Sequence, residues 1–208
     1  MSIARSFNNI AVGKKLAAGF AFVVVLAIVI AAFGINTLSQ YHERSLIVAG
    51  ASSAESSLLM ARAEEKNFQL RRRSEFAREA KSLANGAAKE AEALMELLVV
   101  PADDARAQGI IDGVADYNRL IDDLESRIND LPMVVEAIEE KLQTKAREIV
   151  GLAVELQEIQ VNRMEEQYNG AVNTLVTITV VIAALAALIG WSLTRNITSP
   201  IRETVDIA

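Results

Sequence analysis

Very few residues in this chain could carry chemistry. The 208 residues include one histidine, His42, and no cysteine, so there is no thiolate nucleophile, no disulfide framework and no histidine-rich metal site. A di-iron centre in a helical bundle wants two Glu-x-x-His motifs, and the residue three before His42 is Ser39. The acidic pairs Asp103-Asp104, Asp122-Asp123, Glu139-Glu140 and Glu165-Glu166 are adjacent in sequence. Helical neighbours point about 100° apart, so these cannot form a tight carboxylate pair and read as solvated faces. No phosphate-cradling glycine loop, nucleophile elbow or zinc helix is present. The expectation is a protein that is not an enzyme, with no catalytic residue, cofactor or metal.

The more informative polar residues are those that interrupt apolar seams. Counted back from helix ends far from the apolar runs, Glu65 lies about 7 residues down, Arg62 about 10, and Thr144 and Lys145 about 12, or roughly 11–18 Å at 1.5 Å per residue. Two readings stand. One is a structural Glu65–Lys145 salt bridge, with the long stems packing as apolar surface. The other is a polar pocket in which Arg62, Lys145 and Thr144 hold an anionic ligand, Arg62 offering a bidentate fork to a carboxylate. The run Arg71-Arg72-Arg73, with Arg78, lies at the tip as a solvated turn or a second place of anion capture.

What positions these residues is set by charge segregation. Two long uncharged runs, Leu16 to Ile35 and Ala171 to Leu193, hold much of the 51% hydrophobic content. Each is about the 20 residues a helix needs to cross hydrocarbon. The first is longer than the roughly 7–15 residues of a signal-peptide core, so a retained anchor is expected. The charge is +3 before the first run, -9 between the runs and 0 after the second. Short basic flanks stay inside, so both ends are expected in the cytoplasm and the middle outside. The net charge of -6 argues against nucleic acid as a partner.

Between the runs the pattern is helical. Ile110, Val114, Tyr117, Ile121, Leu124, Ile128 and Leu131 step by four and three, the seam a bundle buries. A slim seam runs through Ala77, Ala80, Ala84, Ala87, Ala91, Leu94 and Leu98. The outer segments supply Ile47, Ala51, Ala54, Leu58, Ala61, Glu65 and Phe68, and Val135, Ile138, Leu142, Lys145, Ile149, Leu152, Leu156 and Ile159. Breaks are expected at 72–74, with the Ser74 hydroxyl as cap, at Val99-Val100-Pro101, and at Asn129-Asp130-Leu131-Pro132. Asp103 and Asp104 favour a new N-terminus through the helix dipole. The predicted fold is all-α: a membrane-anchored antiparallel four-helix bundle whose outer helices continue into two transmembrane helices. Its segments are a cytoplasmic N-terminus (1–15), a first span (16–37), the bundle (38–170), a second span (171–193) and a tail (194–208).

On these residues the chain resembles the N-terminal half of a bacterial methyl-accepting chemotaxis receptor. Asn9-Ile10-Ala11-Val12-Gly13-Lys14-Lys15-Leu16, followed by Gly19-Phe20, is similar to that family's lead-in to its first span. Arg195-Asn196-Ile197-Thr198-Ser199-Pro200-Ile201 is similar to the opening of a HAMP linker, and the middle resembles the family's ligand-binding domain in size. The resemblance implies a homodimer in the bacterial inner membrane with a periplasmic bundle. It implies a small ligand (an anionic amino acid or organic acid) or a periplasmic binding protein as partner. Ligand would sit between first helices near the distal end, with Arg62, Arg71 and Arg72 the positions that could correspond to contacting arginines. On this reading the chain stops inside the linker and is a fragment. HAMP linkers also follow the sensors of histidine kinases and cyclases, so those outputs stand as alternatives, as does a structural bundle answering to a protein partner.

Overall fold

The computed structural model describes residues 12–205, with side chains described at 13, 14, 17–191 and 194. The lead-in residues 1–11 lie outside the described residues, as do the side chains of the proline-bearing tail, 195–201. The described chain is all-α, with four helices: α1 (Val12–Arg71), α2 (Ser74–Met95), α3 (Pro101–Arg127) and α4 (Pro132–Val205). No strand occurs among the described residues.

The helix ends follow from local chemistry, with one correction. Arg72 adopts a left-handed conformation, φ 53°, and its N–H donates to the Phe68 carbonyl at 2.8 Å, closing α1 as an αL cap closes many helices. The residue before α2 is Arg73, and no side chain caps that end. Ser74 is the first helical residue instead of the expected capping residue, because the turn at Arg72 leaves Arg73 as the extended one. Pro101 opens α3 at the first helical position, where its missing N–H costs nothing, and Asp103 and Asp104 occupy the first turn. Pro132 opens α4 in the same way.

The chain separates into two compact units, one from Met1–Gln40 with Gln167–Ala208, the other Tyr41–Glu166. In the first, α1 and α4 each carry a stretch long and apolar enough to cross a membrane, and no residue of either stretch is buried. Phe20, Ile28, Val180 and Leu188 are among the large side chains exposed there. Some of this unit's polar side chains bond within their own helix and one pair across α1 and α4. Thr174 and Thr177 donate to the carbonyls of Gly170 and Asn173, and Gln167 Nε2 donates to Gln40 Oε1 at 3.1 Å.

In Tyr41–Glu166, four helical stretches share one core. The expected seam of α1 is buried in full, Ile47 to Phe68 with Glu65 included. That of α2 is buried except Leu98, and that of α3 is buried from Ile110 to Leu124, with Ile128 partly covered and Leu131 exposed. As the numbers rise along α3 their partners on α4 fall: Asp103 meets Gln160, Gly109 meets Leu152, Gly113 meets Ile149 and Asp116 meets Lys145. Gly113 is needed for this approach. A Cβ there would lie 2.2 Å from Ile149 Cγ2.

The seam of α4 departs from expectation. Its buried residues are Val135, Ile138, Leu142, Ala146, Ile149, Ala153, Leu156 and Gln160, so Lys145, Leu152 and Ile159 flank the core instead of filling it. Strict alternation of three and four assumes about 3.5 residues per turn, whereas an unsupercoiled helix has about 3.6. Two consecutive steps of four, Ile138 to Leu142 to Ala146, absorb the difference and turn Lys145 toward α3.

Candidate functional site

The five residues singled out for ligand binding fall in three places. Thr144 and Lys145 line an open groove of about 710 Å³ between α3 and α4. From α3 the lining is Asp116, Arg119, Leu120 and Asp123, and from α4 it is completed by Glu140, Lys141 and Glu148. Lys145 Nζ lies 2.7 Å from Glu148 and 3.7 Å from Asp116. Its hydrogen bond to Glu148, with Asp116 adding attraction, pushes the ammonium pKa above its ordinary value. Thr144 spends its hydroxyl on the Glu140 carbonyl at 2.9 Å. Four carboxylates and three cations face one groove, so it can take an ammonium and a carboxylate side by side more readily than a simple anion.

Arg62, Arg71 and Arg72 are not in that lining. Arg62 is half-buried on α1 beside Glu65. Arg71 stacks its guanidinium 5.2 Å above the Phe76 ring, with Arg73 at 5.9 Å, a cation–π arrangement that holds the turn between α1 and α2. Arg72 reaches Glu139 at 3.8 Å. The expected Glu65–Lys145 ion pair is not formed among the described residues. Glu65 Oε1 accepts from Gln69 at 3.1 Å and lies 3.4 Å from Lys66, while the turn of α4 described above commits Lys145 to α3.

Glu65 is fully buried, and its Oε2 has no hydrogen-bond partner. Burial raises its pKa, opposed by Lys66 and then by Arg62 and Tyr117. The Tyr117 hydroxyl, next to it, donates to the Ala61 carbonyl at 3.3 Å. Its own pKa is pushed up by burial first and by Glu65 second.

A second polar layer was not anticipated from the sequence. Asp103, also fully buried, accepts from Gln160 Nε2 at 2.8 Å and from Arg163, and lies 3.5 Å from Arg106 Nη1. Gln160 Oε1 in turn accepts from Arg44 at 3.1 Å, and Arg106 makes a forked contact to Glu155 Oε1 at 2.7 and 3.0 Å. The network ties α1, α3 and α4 together with every Asp103 oxygen satisfied, as a buried charge requires. A glutamine one step beyond Leu156 was its only trace in the sequence, and the expected seam passed through Ile159 instead. Among the described residues no group of three or more His, Asp or Glu is placed to hold a metal ion. Comparison of the chain with protein-family models, with curated proteins and with solved structures finds no match.

Proposed function

We propose that the chain is the sensing portion of a transmembrane receptor. Tyr41–Glu166 is then an antiparallel four-helix bundle outside the inner membrane, and the apolar stretches of α1 and α4 anchor it with both ends in the cytoplasm. The observation that carries this reading is the pair of uncharged stretches with none of their residues buried, on the same two helices that supply core residues to Tyr41–Glu166. Apolar surface of that extent left bare is a mark of a lipid or protein interface. A ligand in the α3–α4 groove acts on α4, which has no break between Pro132 and Val205. A shift of about 1–2 Å in such a helix is a known form of switching, and it needs a coupling of only about 1–3 kcal/mol. The groove's mixed charge favours a small zwitterion such as an amino acid over an organic acid. A homodimer and a chemotactic output belong to the same proposal through the family resemblance.

The test is a thermal-shift panel of amino acids and dicarboxylates on the full chain in lipid nanodiscs, repeated with Lys145→Ala. A raised melting point with an amino acid, lost in the variant, supports the sensor. No shift with any compound favours a structural bundle responding to a protein partner, a reading supported by the way the groove charges already pair among themselves. A histidine kinase or cyclase sensor would give the same ligand result and differs only in output.

A further inference from the structure

The most unusual group in Tyr41–Glu166 outside the groove is Glu65. Its side chain has 0% exposure; Oε1 accepts from Gln69 and lies 3.4 Å from Lys66, while Oε2 has no partner. Burying a carboxylate with one oxygen unpartnered favours its protonated form, against the pull of Lys66 and Arg62 toward the charged one. On α1 the charged groups near it are Arg62, half-buried one turn earlier, and Lys66, whose side chain is 43% exposed. On α3 the facing group is Tyr117, whose hydroxyl is already given to Ala61. The buried residues of α2 are alanines and Leu94, and on α4 those from Val135 to Leu156 are all apolar. The polar rim groups Lys81, Asp122, Asp116 and Lys145 are engaged with one another or with Glu148.

We propose that Glu65 is a proton-controlled latch between α1 and α3, which makes this unit a sensor of proton concentration apart from any small ligand. With the proton on, the neutral carboxyl stays against Tyr117 and the two helices remain closed. With the proton off, the carboxylate draws closer to Lys66, already 3.4 Å from its Oε1, and to Arg62 one turn earlier on its own helix, and the Tyr117 contact opens. Burial favours the protonated form. Because the folded state holds this proton more tightly than the unfolded state, the stabilisation is complete below the ordinary glutamate pKa and is lost as pH rises toward the folded value. This inference does not depend on the ligand reading, since the groove residues are not part of the latch.

The experiment uses the full chain in nanodiscs. Because the protein has no native cysteine, spin labels can be placed at Met60→Cys on α1 and Ala115→Cys on α3, both exposed positions. The label distance and the unfolding midpoint are followed from roughly pH 4 to 9, spanning the range a buried glutamate can reach. With Glu65 present, the distance should lengthen as pH rises, in step with loss of the infrared carbonyl band of a protonated carboxyl. Relative to Glu65→Gln, the folding equilibrium should weaken by up to about tenfold per pH unit and then level off. Glu65→Gln should hold the short distance throughout. A distance that does not change with pH in the chain retaining Glu65 overturns the proposal whether or not the variant folds. So does a Glu65→Gln profile that follows that of the parent.

Discussion

Replacing Gly113 by alanine tests the packing of α3 on α4 most directly. In a helix interior the change should gain about 1 kcal/mol from propensity. Here the new Cβ would sit 2.2 Å from Ile149 Cγ2 and 3.6 Å from its Cβ. The nearer atom is a branch methyl whose χ1 is nearly fixed in a helix, so it cannot swing aside as a long side-chain end would, and the helices must part. Overpacking costs about 1–3 kcal/mol, and a contact as short as 2.2 Å belongs to the upper part of that range, about 2–3 kcal/mol, leaving a net loss of about 1–2 kcal/mol. Thermal unfolding of the full chain in detergent should show a midpoint lower by about 3–8 °C. Gly151→Ala, an exposed helical position with nothing within 4 Å, is the control and should be stabilising by up to about 1 kcal/mol. Adding Ile149→Ala to Gly113→Ala should cost less than the two separate effects added, by at least about 1 kcal/mol, since the methyl that clashes is gone. If Gly113→Ala melted at or above the parent, the close approach of these helices would be refuted.

Further outcomes are expected elsewhere in the fold. Arg72→Gly should stabilise by a few tenths to about 1 kcal/mol in denaturant titrations, since glycine removes the strain of a positive φ and the lost Glu139 contact is long and partly exposed. Asp103→Ala should destabilise by about 3–5 kcal/mol, because it leaves Arg163 and Gln160 without their acceptor; Asp103→Asn should cost less, and equal losses would count against the network. Tyr117→Phe should lower stability by about 0.5–1.5 kcal/mol through the Ala61 hydrogen bond, measured as a shift in the unfolding midpoint at constant slope.

The seams of α1, α2 and α3 could be read directly, because runs such as Ile110-Val114-Tyr117-Ile121-Leu124 leave a helix one way to lie. For α4 the reading failed at Lys145, Leu152 and Ile159. The strict alternation that α1 keeps over seven positions drifts in α4 already at the fourth, where Ile138, Leu142 and Ala146 are two steps of four, and at 153 alanine carries little hydropathy signal beside Leu152. That drift also explains why Glu65 and Lys145, both polar interruptions at similar depth, do not meet. The Asp103 network could not be foreseen, since its partners lie 57 and 60 residues away and its acid had a sufficient local role at a helix start. The groove is legible only in part: Thr144 and Lys145 stand out in the sequence, but of the α3 carboxylates opposite Asp123 reads as solvent-facing and Asp116 carries no signal.

The alanine face of α2 has a mechanical consequence. Side chains of one small size make a smooth track, so the fully buried stripe from Ala77 to Ala91 gives little hold on the helix's height. That hold comes from the larger side chains Phe76, Leu83, Leu94 and Met95 packed at the core, Leu94 sitting where a Cβ on Gly50 would come within 2.8 Å, and from the polar ties Asn118–Asn85 and Lys81–Asp122. Trimming Leu83 and cutting those ties would loosen the axial register of α2 while its alanine contacts stayed nearly unchanged.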